Sequence, residues 1–83
     1  MLKENVKAKV IVIDFENKKG WKIYHNEDLY GNTEIKDSRF WNDVQNGYYR
    51  FVKGTTLVAD VDCPWKIEEP LKILKVHEVI YSD

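Results

Sequence analysis

The strongest constraint on the fold is a series of short, strand-like segments separated by turn residues. From Val6 to Phe15 the residues are mostly β-branched and alternate with lysines, before both faces become apolar at Ile11 to Ile13. Asn17 to Gly20 is a turn signal, and alternation resumes from Trp21 to Tyr24. The pattern predicts a first hairpin whose leading strand is half exposed and then covered on both faces.

Three further strands are predicted along the rest of the chain. A polar stretch from His25 to Asn32 leads into a short strand around Thr33 to Lys36. Apolar residues then alternate with polar ones from Thr55 to Val61, which is typical of a half-buried strand. After a break at Glu68 to Pro70, the segment Leu71 to Tyr81 is apolar on both faces, which predicts a last strand that bends or carries a bulge.

One helix is predicted between the third and fourth strands. Asp37 or Ser38 can accept hydrogen bonds from the free amides of a helix start. Phe40 and Val44 stand one turn apart and form its apolar side. Gly47 suits the left-handed residue that follows a last turn. These signals predict a helix of two to three turns.

The order β-β-β-α-β-β indicates a mostly β fold. Five strands with one helix between the third and fourth is the order of the OB-fold, a small, partly open barrel. An SH3-like barrel or a helix-backed antiparallel sheet fits the same order. The 83 residues suffice for one core, so we expect a single domain over residues 1–83 with an ordered core from about residue 6 to 81.

The spacing of several residues resembles a small OB-like β-barrel module found in uncharacterised bacterial and phage proteins, often appended to another domain. The resemblance covers roughly residues 20 to 80. It implies a fold and carries over no active site, because the matching positions are mainly core, turn and cap residues. The stretch His25 to Asn32 departs from the pattern, since a tight turn is expected there. The matching residues are Trp21, Ile23, Ile35, Asp37, Phe40, Val44, Gly47, Phe51, Lys53, Gly54, Leu57, Val76 and Val79.

Composition excludes several classes of protein. A net charge of −1 and a pI near 6.1 provide no global attraction to a polyanion. The single Cys63 cannot form an internal disulfide, so we expect an intracellular, cytoplasmic protein. The first twelve residues lack the features of a signal peptide, and no apolar run is long enough to span a bilayer. No contact with a membrane is predicted.

No catalytic, metal-binding or cofactor-binding motif is evident, so we predict a non-enzymatic protein without a cofactor. Cys63 could act as a nucleophile beside His25 or His77, but a lone cysteine before a proline is more often a strand-end residue. Asp60 and Asp62 lie on one face of a strand and could share a divalent cation. They are more often a solvated strand face that discourages edge pairing.

The aromatic residues are the better indication of a binding site. If Trp21 and Ile23 point inward, Lys22 and Tyr24 must point outward on the second strand, the face on which OB-folds bind ligands. Bases stack on exposed aromatic rings while lysines contact phosphates. A single-stranded nucleic-acid site would then use Lys19, Lys22, Tyr24 and Tyr30, with Trp65 from the loop before the last strand.

A protein partner or a neighbouring domain is the alternative that the sequence favours. Acidic residues dispersed among exposed aromatics suit a protein interface better than a polyanion. Tyr48, Tyr49 and Arg50, just after the helix, form a second candidate patch, unless both tyrosines close the end of the barrel. We therefore predict a binding module that acts as a monomer or as a weak homodimer, with nucleic-acid binding as the second hypothesis.

Overall fold

Five strands and one helix follow one another in the predicted order. The computed structural model describes residues 1–14, 16–49, 51–52, 54–66 and 68–81. The elements are β1 (Leu2–Val12), β2 (Trp21–His25), β3 (Asp28–Ile35), α1 (Ser38–Gln45), β4 (Thr56–Asp62) and β5 (Leu71–Ile80).

The strands form a closed barrel in the order β1-β2-β3-β5-β4. β1 pairs antiparallel with both β2 and β4, so both of its edges are hydrogen-bonded. The prediction that both of its faces are covered at Ile11 to Ile13 is wrong, because Val12 is 42% exposed. Parallel pairing of β3 with β5, from Thr33 with Leu71 to Ile35 with Ile73, closes the barrel. The prediction of a mostly β, five-stranded barrel with one helix between the third and fourth strands is confirmed. The arrangement is compatible with an OB-like fold.

β1 begins at Leu2 rather than Val6 and ends at Val12, and the predicted last residue, Phe15, lies outside the described residues. The early part of β1 pairs with β4 through a register shift between Lys3 and Val6. Within this shift Asn5 has φ 53° and donates its backbone N–H to Asp60 Oδ1 at 3.0 Å. A local irregularity therefore extends the strand beyond the alternating segment.

The polar stretch before the third strand is a tight turn and not a long loop. His25 pairs with Asp28, so only Asn26 and Glu27 connect β2 to β3. Both residues have positive φ, 51° and 68°, as a type I′ turn requires. The sequence does not signal this turn, because the usual residue at its second position is glycine. β3 consequently starts at Asp28 instead of Thr33.

The predicted irregularity of the last strand is confirmed by two register shifts between β4 and β5. They lie between Val58 and Ala59 and between Asp60 and Val61. The inward residues of β5 are spaced two or three positions apart because each shift adds a residue on this strand. They are Leu71, Ile73, Val76 and Val79.

The helix has the predicted ends. Asp37 Oδ1 accepts a hydrogen bond from the Phe40 backbone N–H at 3.0 Å. After the last turn Gly47 has φ 72°, and its N–H donates to the Val44 carbonyl at 3.1 Å. No helix formed by the described residues is long and apolar enough to cross a membrane.

An aromatic cluster joins α1 to the barrel. Trp21, at the start of β2, is fully buried and contacts Phe40 and Trp41 of the helix with ring centroids 6.5 and 6.4 Å apart. Phe51 packs edge-on against Trp21 at 5.6 Å. Burial of these large rings supplies much of the hydrophobic stabilisation of so small a barrel. The helix thus covers the end of the barrel at which β2 begins.

Candidate nucleic-acid interface

A row of exposed side chains crosses the outer surface of β1, β2 and β3. Lys9 pairs with Tyr24, and Tyr24 pairs with Leu29 on the next strand. Tyr24 is 42% exposed and Leu29 is 50% exposed. Lys7 and Lys22 lie two residues before Lys9 and Tyr24, so their side chains emerge on the same side. We call Lys7, Lys9, Lys22, Tyr24 and Leu29 the lysine face.

Three more lysines surround Glu34 where β3 meets β5. Lys36 Nζ lies 3.0 Å from Glu34 Oε2, and Lys72 is the β5 partner of Glu34. The hydrogen bond from Lys36, together with the charges of Lys36, Lys19 and Lys72, lowers the pKa of the Glu34 carboxyl. This Glu34 cluster carries three cations and one anion, so it extends the positive surface from β2 towards β5.

Acidic residues lie both on the other side of the barrel and at the border of the positive surface. Asp60 and Asp62 point outward on β4, which is separated from β2 by β1. Glu27 and Asp28 border the lysine face only at the turn between β2 and β3. Although the whole chain has a net charge of −1, its charges are therefore unevenly distributed.

The sequence-predicted residues of the single-strand site do not all reach this surface. Lys22 and Tyr24 point outward as predicted, and Lys19 lies beside Glu34. Tyr30 is only 9% exposed and belongs to the core, because it pairs with the inward-facing Ile23. Burial raises the pKa of the Tyr30 hydroxyl. Its ring is thus not available for stacking on the outer surface.

Trp65 is the most exposed large hydrophobic side chain of the described residues, at 86%. It lies in the loop between β4 and β5, next to Pro64. The β4–β5 loop and the β1–β2 loop lead to opposite ends of β3, because β5 runs parallel to β3 from Leu71 whereas β2 runs antiparallel to it from Trp21. The structure therefore does not bring Trp65 to the β1–β2 loop, and Glu68 and Glu69 are exposed beside Trp65.

The second predicted patch is divided by the structure. Tyr48 is 74% exposed, whereas Tyr49 is half buried and packs on Phe40 with ring centroids 5.3 Å apart. Arg50 lies outside the described residues. A groove of about 630 Å³ separates α1 from β5 and is lined by both tyrosines and by Leu74. Tyr48 is thus exposed at a groove, while Tyr49 anchors the segment after the helix.

A recess of about 640 Å³, which we call the loop cup, lies beside the Glu34 cluster. Trp41 of α1, which is 8% exposed, contributes apolar surface. The polar side chains of the cup belong to the β1–β2 loop and to β3. They are Glu16, Asn17, Lys18, Lys19 and Asn32.

Polar groups of the described residues hold the part of the β1–β2 loop that forms this cup. The Asp14 carboxylate accepts hydrogen bonds from the backbone N–H groups of Glu16 and Asn17 at 2.9 and 3.1 Å. These and the side-chain bond from Asn17 lower the pKa of Asp14. The buried Trp21 indole N–H lies within reach of the carbonyls of Asp14 and Asn17, at 2.9 and 3.1 Å.

The groups considered for catalysis are either buried or in contact with other groups in the structure. Cys63 is buried, His77 Nε2 lies 2.9 Å from Asp60 Oδ1, and His25 Nδ1 lies 3.0 Å from the Lys7 carbonyl. Asp62 Oδ1 lies 2.9 Å from the Met1 amino group. No group of three or more potential metal ligands occurs within the part of the chain that the structure describes.

Sequence reasoning missed part of the positive surface. Lys7 and Lys9 alternate with apolar residues, so their exposure was predictable, but only the barrel register brings them beside Tyr24. Leu29 was missed because it falls in the stretch interpreted as a loop. Lys36 lies two residues after Glu34, but Lys72 approaches Glu34 only through the β3–β5 pairing, which joins segments far apart in sequence.

The fold and the positive surface define a class of structure, a closed five-stranded β-barrel with a basic, partly aromatic face. No family model, no curated protein and no solved structure matched the chain in comparisons with known proteins.

Proposed function

We propose that this protein is a non-catalytic binding module that holds single-stranded nucleic acid on the lysine face. The main support is the position of Tyr24, an exposed ring between Lys9 on the neighbouring strand and Lys22 on its own strand. Unpaired bases stack on such rings, while adjacent lysines contact the phosphates. Barrels of the OB type bind oligonucleotides on the corresponding strands, which is an argument by analogy of fold.

The distribution of charge supports this ligand over an acidic or neutral protein surface. Six lysines and three acidic residues occupy the outer surface around β2 and β3, namely Lys7, Lys9, Lys19, Lys22, Lys36 and Lys72 with Glu27, Asp28 and Glu34. Local fields of this kind attract polyanions even where the net charge is near zero. Nucleic-acid binding, the second hypothesis from the sequence, is therefore placed ahead of a protein partner in this proposal.

The test is a titration of fluorescently labelled single-stranded 12-mers of DNA and RNA with the full chain at two salt concentrations, followed by anisotropy. We expect saturable binding with a dissociation constant of micromolar order that weakens as salt rises. Tyr24→Ala should weaken binding, whereas the matched control Tyr48→Ala should not. Absence of saturable binding, or equal loss in both variants, would refute the proposal.

A protein partner or a neighbouring domain at the groove between α1 and β5 is the second candidate. Tyr48 and Leu74, which is 38% exposed, form an uncharged centre there. Lys36, Arg39, Asp43 and Lys75 form a mixed polar rim. An apolar centre with a polar rim is the usual anatomy of a protein interface. Under this alternative, Tyr48→Ala would abolish partner binding and Tyr24→Ala would leave it intact.

The setting of this module is also a proposal. A single cysteine, buried at the end of β4, suits a reducing, cytoplasmic location. The proposal that this module belongs to a bacterial or phage protein rests on the spacing of its core, turn and cap residues. A monomer is the simplest state for a barrel whose strand order is closed.

A further inference from the structure

We infer that the loop cup is a nucleobase pocket that prefers a base with an exocyclic amino group, an inference that rests on the proposed function. The cup lies at the end of the positive surface, since Lys19 belongs to both the cup and the Glu34 cluster. A strand bound along the lysine face would reach it without leaving the positive surface.

The shape and lining of the cup suit a small planar ligand. The cup is a shallow, open recess with a mostly apolar surface and a few polar groups around it, which are the features that fix the orientation of a ligand. Trp41 and Gly20 contribute surface without charge. Base recognition in single strands combines an apolar contact with hydrogen bonds at the base edge.

The polar groups of the cup provide the chemistry for recognition of a base edge. Glu16 is an acceptor when ionised, and Asn32 offers both a donor and an acceptor. Asn17 donates one side-chain N–H to Asp14, which leaves its oxygen and its second N–H for a base. An exocyclic amino group is a donor, as on adenine and cytosine, whereas the O4 of thymine or uracil is an acceptor. A carboxylate at the edge therefore favours cytosine over uracil.

The charges of the cup suit a base that is attached to a phosphate. Lys18 and Lys19 carry two cations against the one anion of Glu16. A phosphate can therefore lie near the lysines while the base edge faces the carboxylate.

Hydrogen bonds hold the backbone of Glu16, Asn17 and Lys18 at the cup, which favours a preformed pocket. Asp14 holds the amides of Glu16 and Asn17, and the Lys18 carbonyl accepts a hydrogen bond from the Ile35 N–H at 2.8 Å. A pocket that needs no reordering loses less entropy when a ligand binds.

The test compares oligo-deoxycytidine with oligo-deoxyuridine 12-mers, which differ at the base edge and not in sugar or phosphate. We expect the full chain to bind the cytosine oligomer about tenfold more tightly, within the range that one base-edge contact gives. Glu16→Gln should bring the two affinities to within about twofold, because an amide can serve either base. Asn32→Ala should weaken both oligomers, and the control Glu78→Gln should keep the preference.

Two outcomes would overturn the nucleobase pocket and leave the proposed function intact. One is equal affinity of the unmodified protein for the two oligomers, and the other is a cytosine preference that survives Glu16→Gln. If neither oligomer binds, the proposed function fails. Cytidine and uridine monophosphates then test the cup alone by NMR. Shifts of the Asn32 amide and Trp41 indole signals with the cytidine nucleotide only would support the pocket, and no shifts would refute it.

Discussion

The Asp37 carboxylate connects the helix to the last strand, since its Oδ2 accepts the backbone N–H of Val76 at 2.9 Å while its Oδ1 caps α1. Val76 lies on β5 beyond the three residues that pair with β3, where the strand has no parallel neighbour to accept this N–H. The Asp37 side chain thus accepts two backbone N–H groups, one at the start of α1 and one on β5, that have no backbone acceptor among the described residues.

Removal of this carboxylate should destabilise the barrel. We expect Asp37→Ala to lower the free energy of unfolding by about 1–2 kcal/mol, since it deletes a helix cap and leaves a partly buried N–H without its acceptor. Urea denaturation followed by circular dichroism measures the change. Ser38→Ala is the matched control and should have little effect. Equal losses in the two variants would contradict the assigned cap.

This pair shows what local sequence could and could not predict. Both Asp37 and Ser38 are good cap residues, so the pattern located the helix start to within one residue without choosing between them. The bulged last strand was predictable because its apolar residues occupy both faces. The hydrogen bond from the Val76 N–H to Asp37 was not predictable, because it depends on how β5 packs beside the start of α1.

The lysine face was predictable only in part for a similar reason. Alternation along β2 correctly places Lys22 and Tyr24 outside. Alternation does not say which strands are neighbours, and the contribution of Lys9 follows from the β1–β2 register. Tyr30 was assigned to the surface because its strand was read as a loop, and the turn at Asn26 and Glu27 moves it into the core.

Two buried threonines should respond in opposite ways to replacement by valine. Thr33 and Thr55 are both fully buried. Thr33 Oγ1 has no hydrogen-bond partner among the described residues, whereas Thr55 Oγ1 accepts the Val52 N–H at 3.2 Å. Thr33→Val should therefore stabilise the protein by about 1 kcal/mol, and Thr55→Val should destabilise it by a similar amount. Thermal and urea unfolding measure both, and destabilisation by Thr33→Val would indicate a partner for its hydroxyl.

The turn between β2 and β3 offers a stabilising substitution. Glu27 has φ 68°, a left-handed conformation that costs a residue with a Cβ atom roughly 1 kcal/mol relative to glycine. Glu27→Gly should therefore raise the urea midpoint. Asp28→Gly, one residue later in the strand, is the control and should lower it. A lower midpoint for Glu27→Gly would contradict the type I′ turn.

The Asp60 carboxylate should contribute to the pH dependence of stability. The backbone N–H of Asn5 and the side chain of His77 donate hydrogen bonds that lower its pKa in the folded state. A lowered folded pKa means that the stabilisation is present above the unfolded value, about 3.9, and is lost as pH falls through the folded value. Asp60→Asn should lower the urea midpoint at pH 6 and have little effect near pH 2. An equal effect at both pH values would exclude this carboxylate as the cause.

The contributions of the lysines and of the Tyr24 ring to nucleic-acid binding should differ in their dependence on salt. Lys22→Gln removes one phosphate contact, so the slope of log K against log salt should fall by about 0.7, the value for one contact to a single strand. Tyr24→Ala removes a stacking ring, so affinity should fall by roughly 1–3 kcal/mol with the slope unchanged. Anisotropy titrations at four salt concentrations measure both quantities, and Lys75→Gln, at the groove between α1 and β5, is the charge-matched control. If Lys75→Gln reduces the slope as much as Lys22→Gln does, phosphates also contact the groove, and the lysine face is not the sole path of the strand.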